Sequence, residues 1–334
     1  MIKVKIIAYA VREDEKAAFA QWQGENPDIE VKLVSTELTV ASLEEARGFD
    51  AIVAFQTGEY PADLFDRMQA MGIKDLSVRN VGVDNLNLAS AKQNGITITN
   101  VPAYSPNAVA EFAVSQVLKL LRNAKVYDRK ISQHDFRWAP NVAGEINGKT
   151  VGVLGTGRIG QVMIKIMQGF GAKIVAYDPF PNPDLAKQGI YLDSPDDVLK
   201  QADIVSLHVP ATKDNFHLIN QDTIAEMRDG AIIVNVSRGA LIDTPALVTA
   251  VKNGKLAGAV LDTYENEASF FNHDLRGQTL SDPLLTEMLS MDEILLTPHI
   301  AFYTDIAVGN MVRVSLDSAK DVLTTGTAPT VVVG

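Results

Sequence analysis

Short apolar runs alternate along the chain with longer segments whose apolar residues recur every three or four positions. The runs are typical of buried strands and the longer segments of amphipathic helices. Regular alternation of the two predicts parallel sheets built from strand–helix–strand units. The predicted strands form two sets, residues 4–8, 29–33, 51–55, 76–79 and 96–99, then 150–154, 173–177, 204–208, 231–236, 258–261 and 294–296.

Two long predicted helices separate these sets. The first begins at Ser105-Pro106, where serine is a good N-cap and proline suits the first helical position. The second runs from about Thr304 to Leu323, and Gly326 marks its end. The sequence therefore predicts one domain formed by both ends of the chain, 1–102 plus 300–334, and a second domain, 103–299, inserted into it.

Composition narrows the class of protein. Apolar residues make up 46% and charged residues 21% of the chain, as in globular proteins, and no cysteine is available for disulfides or a thiolate zinc site. The five histidines lack metal-ligand spacing, and the first apolar run is too short for a signal peptide. A net charge of -11 argues against nucleic acids and anionic membranes as partners. We expect a cytoplasmic protein without a metal, acting on a small molecule.

The strongest motif is Gly155-Thr156-Gly157-Arg158-Ile159-Gly160, between an apolar strand and an amphipathic helix. The first glycine permits a tight turn, the second lets the backbone approach a diphosphate, and the third lets helix and strand pack closely. The helix N-terminus offers free N–H groups to the phosphates. An ordinary glycine turn is the alternative, but this context favours dinucleotide binding.

Asp178 ends the next predicted strand, at about the spacing of 20 residues expected for a ribose-binding acid. Its carboxylate would accept hydrogen bonds from the ribose of NAD and repel the 2′-phosphate of NADP. The residues that follow, Pro179, Phe180 and Pro181, include no arginine to bind that phosphate. NAD is therefore the expected cofactor, with a solvated aspartate in a turn as the alternative.

Three residues match the needs of 2-keto acid reduction. Arg238 follows a predicted strand and could bind a carboxylate bidentately, while His299 could exchange a proton with the carbonyl oxygen. Glu267 could orient the histidine ring and favour its charged form. Each also has a structural alternative: a surface ion pair for the arginine, a solvated acidic loop for the glutamate and a packing role for the histidine. His208, at another strand end, is a competing proton donor.

Long segments of the chain, not only the glycine motif, resemble the D-isomer-specific 2-hydroxyacid dehydrogenase family. They are VGVLGTGRIGQ, HVP, NVSRGALID, DTYENE, TPHIAFYT, RNVGVDN and NVPAYSPNAVAE. AYAVREDEK, HDFRWAP and AFYTDIAVGNMV are closest to bacterial members that act on lactate. The resemblance implies a Rossmann NAD domain inserted into a flavodoxin-like substrate domain, both doubly wound around parallel sheets, and a homodimer.

The resemblance also implies roles for individual residues. His299 matches the acid/base histidine, Glu267 its paired acid and Arg238 the arginine that binds the substrate carboxylate. Asp262 matches an aspartate near the nicotinamide. The implied cofactor contacts are Gly155, Gly157, Arg158, Ile159, Gly160, Asp178, Val209, Pro210, Asn215, Val236, Ser237, Arg238 and Asp262. The implied substrate contacts are Phe55, Val81, Gly82, Tyr104, Arg238, His299 and Phe302.

Phe55 bears on substrate size. Lactate-specific members often carry tyrosine at this position, and branched-chain relatives an aliphatic residue, so we expect larger 2-keto acids to be accepted besides pyruvate. Phe302 and Tyr303 could form another wall, with core packing as the alternative for all three aromatic residues. The alternative functions are a D-2-hydroxyisocaproate-type dehydrogenase and a non-catalytic NAD sensor of the same fold.

Overall fold

The computed structural model describes residues 4–56 and 58–334. The chain divides into two compact units, one formed by the residues up to Ser105 together with Tyr303–Gly334 and the other by Pro106–Phe302. The strands are β1 (Val4–Ala8), β2 (Ile29–Leu33), β3 (Ala51–Ala54), β4 (Asp75–Val78), β5 (Thr97–Thr99), β6 (Thr150–Leu154), β7 (Lys173–Tyr177), β8 (Ile204–Leu207), β9 (Ala231–Asn235), β10 (Leu256–Leu261), β11 (Ile294–Leu296) and β12 (Val331–Val333).

The helices follow the predicted alternation with the strands. They are α1 (Lys16–Glu25), α2 (Leu64–Met71), α3 (Leu88–Gln93), α4 (Pro106–Leu121), α5 (Ala124–Ser132), α6 (Arg158–Gly169), α7 (Pro183–Ala186), α8 (Pro195–Gln201), α9 (Gln221–Glu226), α10 (Thr244–Lys252), α11 (Pro283–Ser290) and α12 (Asp305–Thr325). Among the described residues, no helix has the length and apolar character needed to cross a membrane.

Both predicted long helices are confirmed. α4 begins at Pro106, directly after Ser105. α12 begins after Thr304, whose side-chain oxygen accepts a hydrogen bond from Ala307 N at 3.2 Å. It ends at Gly326, which adopts the left-handed conformation with φ +85°. Capping residues therefore mark both ends of α12, as the sequence predicts.

The sheet of the first unit has the strand order β12-β5-β4-β3-β1-β2. Strands β1 to β5 are parallel, and their order, 2-1-3-4-5, is the flavodoxin-like one. The edge strand β12 runs antiparallel to β5 and was not predicted. Three residues carry no periodicity of their own, so β12 is specified by its pairing with the sheet and not by a local pattern.

The sheet of the second unit is parallel throughout, in the order β11-β10-β9-β8-β6-β7. A parallel bridge between Ala176 and Tyr191 adds one more short pairing to β7. If the strands of this unit are numbered along the chain from β6 as the first, and the bridge at Tyr191 is counted as the third, their order begins 3-2-1-4-5-6. This order is the Rossmann arrangement. The predicted pair of doubly wound parallel-sheet units is confirmed.

The packing of the sheets determines where polar residues collect. Every residue of β3, β4, β8 and β9 is buried, as expected for strands covered on both faces. Because helices cover both faces of the sheets, polar side chains collect on the loops at the strand ends. In parallel sheets the carboxyl ends of the strands share one edge, and ligands bind beyond that edge.

Candidate active site

Three adjacent strands bring predicted site residues to the carboxyl edge of the second sheet. Leu261 at the end of β10 pairs with Asn235 at the end of β9 and with Leu296 at the end of β11. Neighbouring strands lie about 4.8 Å apart. The segments after β9, β10 and β11 therefore carry Arg238, Asp262 and His299 to the same edge.

His299 and Glu267 form an ion-pair contact in this region. His299 Nδ1 lies 2.8 Å from Glu267 Oε1, and the two side chains are 31% and 22% exposed. The second carboxylate oxygen of Glu267 accepts a hydrogen bond from Tyr264 N at 2.9 Å. The carboxylate thus fixes the orientation of the ring. With Nδ1 engaged, Nε2 is the nitrogen left to exchange a proton with a substrate.

Asp262 holds the backbone on which His299 lies. Its completely buried carboxylate accepts hydrogen bonds from Thr297 Oγ1 at 2.6 Å, Ile300 N at 3.0 Å and Ala301 N at 2.8 Å. His299 itself adopts φ +56°, a left-handed conformation that side chains disfavour. Burial raises the pKa of Asp262, and these hydrogen bonds and the nearby imidazole oppose that rise. Asp262 therefore supports the histidine loop.

Buried Asn235 orders the turn that carries Arg238. Its Oδ1 accepts a hydrogen bond from Ser237 N at 3.0 Å, and its Nδ2 donates to Arg238 O at 2.8 Å. Arg238 is half-buried, and its Nη1 donates to Ser237 O at 2.9 Å. The Ser237 hydroxyl donates to Val209 O, which joins two of the predicted cofactor segments. No sequence pattern marks Asn235, because it lies inside a predicted strand.

The predicted cofactor loop after β8 is closed by a side chain. Asn215 Oδ1 accepts a hydrogen bond from Thr212 N at 2.7 Å, and its Nδ2 donates to Pro210 O at 2.8 Å. His208, at the start of this loop, contacts Ser206 Oγ through Nε2 at 2.9 Å. Desolvation lowers the pKa of His208 to about 4. Burial thus disfavours the charged form of His208, which argues against His208 as the competing proton donor.

The glycine loop has the close contacts that the motif predicts. Gly155 has φ +92°, and a Cβ there would lie 2.5 Å from His208 O. A Cβ on Gly160 would lie 2.0 Å from Gly155 O. A Cβ on Gly157 would meet no described atom within 4 Å, so this side of the loop is open beside the first turn of α6. Gly155 and Gly160 are therefore needed for close packing, and the open side at Gly157 fits a diphosphate.

Asp178 ties the glycine loop to the end of β7. Its Oδ2 accepts hydrogen bonds from Thr156 N at 2.6 Å and Thr156 Oγ1 at 3.1 Å, and its Oδ1 accepts from Phe180 N at 2.9 Å. A carboxylate offers roughly four acceptor positions. One therefore remains for a ribose hydroxyl. Together with the open face at Gly157, this donor and acceptor set fits a dinucleotide such as NAD.

A second histidine–carboxylate pair was not predicted. His217 Nε2 lies 2.6 Å from Glu265 Oε1, and Glu265 Oε2 accepts a hydrogen bond from Thr244 Oγ1 at 2.7 Å. The pair links the segment after β8 to the segment that carries Glu267. The sequence does not predict this pair, because no local pattern shows a contact across 48 positions.

The predicted substrate residues of the first unit lie at or near the carboxyl edge of its sheet. Phe55 directly follows β3, while Val81 and Gly82 follow β4. Val81 O accepts a hydrogen bond from Asn100 Nδ2 at 2.7 Å, and Tyr104 O accepts one from Asn310 Nδ2, also at 2.7 Å. Phe302 is the half-buried last residue of the second unit. Their contacts with a substrate stay predictions.

Residues 114–301 match the model of the D-isomer specific 2-hydroxyacid dehydrogenase, NAD binding domain. The chain is also 50% identical to D-lactate dehydrogenase of Lactiplantibacillus plantarum over 327 residues, which are 98% of each chain. The chain belongs to the D-isomer-specific 2-hydroxyacid dehydrogenase family. It is an NAD-dependent D-2-hydroxyacid dehydrogenase, which excludes the alternative of a non-catalytic sensor.

Solved structures place this dehydrogenase among the same enzymes. A D-2-hydroxyisocaproate dehydrogenase superimposes with a TM-score of 0.88 at 42% identity, covering 99% of this chain and 100% of the other. A D-lactate dehydrogenase from Treponema pallidum superimposes with a TM-score of 0.88 at 39% identity, covering 98% and 99% of the two chains. The Rossmann NAD unit and the expected family are confirmed.

Proposed function

We propose that this dehydrogenase interconverts pyruvate and D-lactate, using NADH and NAD. We also propose that it is a cytoplasmic enzyme of fermentation. One observation carries the proposal: the 2.8 Å contact between His299 and Glu267, on a loop that buried Asp262 holds. The 50% identity to a D-lactate dehydrogenase supports lactate as the hydroxy acid.

The chain's own residues divide the work of the reaction. Bound NADH supplies the hydride that reduces the carbonyl carbon. Arg238 binds the substrate carboxylate, since its planar guanidinium suits that group and stays charged. His299 Nε2 donates a proton to the carbonyl oxygen and takes it back during oxidation, while Glu267 stabilises the charged ring through Nδ1.

The remaining roles follow the two domains predicted from the sequence. We assign 103–299 to NAD binding and 1–102 plus 300–334 to the substrate domain. The cofactor contacts are Gly155, Gly157, Arg158, Ile159, Gly160, Asp178, Val209, Pro210, Asn215, Val236, Ser237, Arg238 and Asp262. Val81 and Gly82 offer backbone amides to the carboxylate, and Phe55, Tyr104 and Phe302 contact the rest of the substrate.

A D-2-hydroxyisocaproate-type activity is the second candidate. It is supported by the 42% identity and the TM-score of 0.88 to a D-2-hydroxyisocaproate dehydrogenase. Phe55 keeps the bulk of tyrosine without a hydroxyl, which favours apolar substrate side chains. The two candidates differ in the side chain that the site prefers and share the same proton and hydride transfer.

A panel of 2-keto acids tests both candidates. NADH oxidation is followed with pyruvate, 2-ketoisocaproate and phenylpyruvate, and the chirality of each product is determined. Highest kcat/KM for pyruvate with a D product supports the proposal, whereas highest kcat/KM for 2-ketoisocaproate supports the second candidate. An L product, or no NADH oxidation with any of the three, contradicts both. Parallel reactions with NADPH are expected to be much slower.

We also propose that the enzyme is a homodimer, joined through the region of α5. Large apolar side chains are exposed there: Ile131 (55%), Phe136 (76%), Trp138 (82%) and Val142 (93%). Tyr127 Oη donates to Trp138 O at 2.6 Å, so the loop that carries this patch is held in place. Clustered exposed apolar side chains are typical of protein interfaces.

Light scattering after size-exclusion chromatography tests the homodimer. The wild type is expected at twice the chain mass, and Trp138→Glu at a raised monomer fraction. Val40→Asp, which changes an exposed apolar residue of the first unit, is the matched control and should stay dimeric. A wild type that elutes as a monomer at micromolar concentration would contradict the proposal.

A further inference from the structure

The carboxyl edge of the first sheet holds a group of charged and aromatic side chains, of which the proposed mechanism uses only Phe55. We call it the Arg12 cluster, and it consists of Arg12, Asp14, Glu15, Phe55, Arg79 and Tyr303. Glu15 and Arg79 are completely buried, which is rare for charged residues unless they are paired. Phe55 belongs to both the cluster and the proposed substrate contacts.

Arg79 is the fixed centre of the Arg12 cluster. Its Nε donates to Glu15 Oε1 at 2.9 Å, and its Nη2 donates to Tyr9 O at 3.1 Å and Ala10 O at 2.9 Å. Ala10 adopts φ +50°, a left-handed conformation unusual for alanine. Arg79 therefore holds the sharp turn by which the chain leaves β1 and enters the segment that carries Arg12.

Arg12 is fixed at both its backbone and its side chain. Its backbone N donates to Glu15 Oε2 at 2.9 Å. Its guanidinium binds Asp14 at 3.1 Å, and its Nη2 lies 3.5 Å from Glu15 Oε1. Two carboxylates thus set the position of the guanidinium, although the side chain is 23% exposed.

The Arg12 guanidinium lies over two aromatic rings. Its Cζ is 5.1 Å from the centroid of the Phe55 ring and 5.7 Å from that of Tyr303. Arg79 Cζ is 5.9 Å from the same Phe55 centroid. Both distances from Arg12 are within the range of cation–π attraction, which draws the rings to the plane of the cation.

Two guanidinium nitrogens of the Arg12 cluster lack ordinary acceptors. Nη1 of Arg12 and Nη1 of Arg79 are buried and have no hydrogen-bond partner within residues 4–56 and 58–334. A buried donor without a partner costs free energy, and a neighbouring π face offsets part of that cost. Moving the Phe55 ring would remove this compensation from two cations at once, so the cluster resists displacement of Phe55.

We propose that Arg12 is a specificity-determining positioning residue, which fixes the rings of Phe55 and Tyr303 and so limits the size of the 2-keto acid side chain. The inference rests on the proposed function, which gives Phe55 its substrate contact. Arg12 acts through the rings and not on the reacting atoms. Arginine is required because its planar face stacks on aromatic rings, whereas the lysine ammonium is a compact point charge.

Selectivity between small and large substrates tests the proposal. The ratio of kcat/KM for pyruvate to that for 2-ketoisocaproate is measured for wild type, Arg12→Met and Arg12→Lys. Both variants are expected to lower the ratio about ten-fold, chiefly through KM, because a mobile Phe55 discriminates less by size. NADH affinity, measured by fluorescence, is expected to stay unchanged. Arg313→Met, which breaks an exposed ion pair with Glu25 in the same unit, is the matched control.

A double-mutant cycle with Phe55→Leu shows whether Arg12 acts through the ring. Arg12→Met is expected to leave the ratio of the Phe55→Leu enzyme nearly unchanged. An equal change in both backgrounds would overturn the proposal, as would a wild-type ratio in Arg12→Lys. If Arg12→Met does not fold, Arg12→Lys carries the same cycle. A wild type that turns over no 2-keto acid would instead contradict the proposed function.

Discussion

The two units carry the same kind of sheet edge, but they stabilise it in different ways. In the second unit, buried polar side chains bind backbone groups: Asp262 accepts from Ile300 N and Ala301 N, and Asn235 binds Ser237 N and Arg238 O. In the first unit, two buried charged side chains pair with each other, Arg79 with Glu15.

We call the edge of the second unit, which carries His299, the reacting edge, and the edge of the first unit the supporting edge. Backbone hydrogen bonds hold the loops of the second unit while His299 stays 31% exposed and available for proton transfer. The buried ion pair of the first unit leaves neither partner accessible, so its charges are suited to fixing neighbouring groups. Substitutions at the second edge should therefore change rate or cofactor binding, and substitutions in the buried pair should change stability.

The largest effect is expected from His299→Gln at the reacting edge. Removing a general acid–base group lowers kcat by about 10²- to 10⁴-fold. NADH affinity should stay close to that of the wild type, since the glycine loop and Asp178 are untouched. Stopped-flow turnover and NADH fluorescence titration measure the two quantities. An equal loss of both would show that His299 has a structural role.

Glu15→Gln in the supporting edge comes next. The substitution leaves the buried Arg79 guanidinium without its carboxylate, which destabilises a protein by about 3–5 kcal/mol. Urea unfolding is expected to show the loss in the transition of the first unit. Glu25→Gln, in the exposed pair with Arg313, is the control and should unfold like the wild type. Equal midpoints for Glu15→Gln and the wild type would mean that the pair is not needed.

Asp178→Asn tests the role of this carboxylate in cofactor binding. The loss of charge should weaken NADH binding by about ten-fold and reduce discrimination against NADPH, because the carboxylate no longer repels the 2′-phosphate. Asp184→Asn alters an exposed acid a few residues later and is the matched control. Titrations of both cofactors check the prediction. Unaltered discrimination between them would leave Asp178 only its contacts with Thr156 and Phe180.

The same contrast explains what could be predicted from the sequence. The glycine loop and the strands follow local patterns, and the His299–Glu267 pair was expected from the chemistry of its residue types and the family resemblance. Asn235 and β12 were missed because their roles depend on a turn or a partner strand. The Arg12 cluster was missed because no local period marks a contact between Glu15 and Arg79, which only the folded sheet brings together.

The smallest predicted effect concerns Asp75, a second buried acid of the first unit that has no cation paired with it. Asp75 Oδ2 accepts a hydrogen bond from Ser77 Oγ at 2.8 Å, and Ser77 Oγ accepts one from Thr99 Oγ1 at 2.6 Å. Oδ1 is buried without a partner in the described part of the chain. Burial raises the pKa of Asp75 to about 7.

The raised pKa of Asp75 determines how the free energy of unfolding changes with pH. Between about pH 4 and about pH 7 the folded chain keeps the proton that the unfolded chain has released, so this group lowers the free energy of unfolding as the pH rises. Asp75→Asn removes that slope. The variant is expected to be more stable than the wild type by on the order of 1 kcal/mol at about pH 8, with the gain disappearing at about pH 4.

Urea unfolding at the two pH values measures the difference, and Asp28→Asn, an exposed acid of the same unit, is the control. Equal slopes for Asp75→Asn and the wild type would show that water or a local rearrangement solvates the carboxylate. A slope that Asp28→Asn retains and Asp75→Asn loses would show that an acid buried with hydroxyl groups alone costs stability as the pH rises.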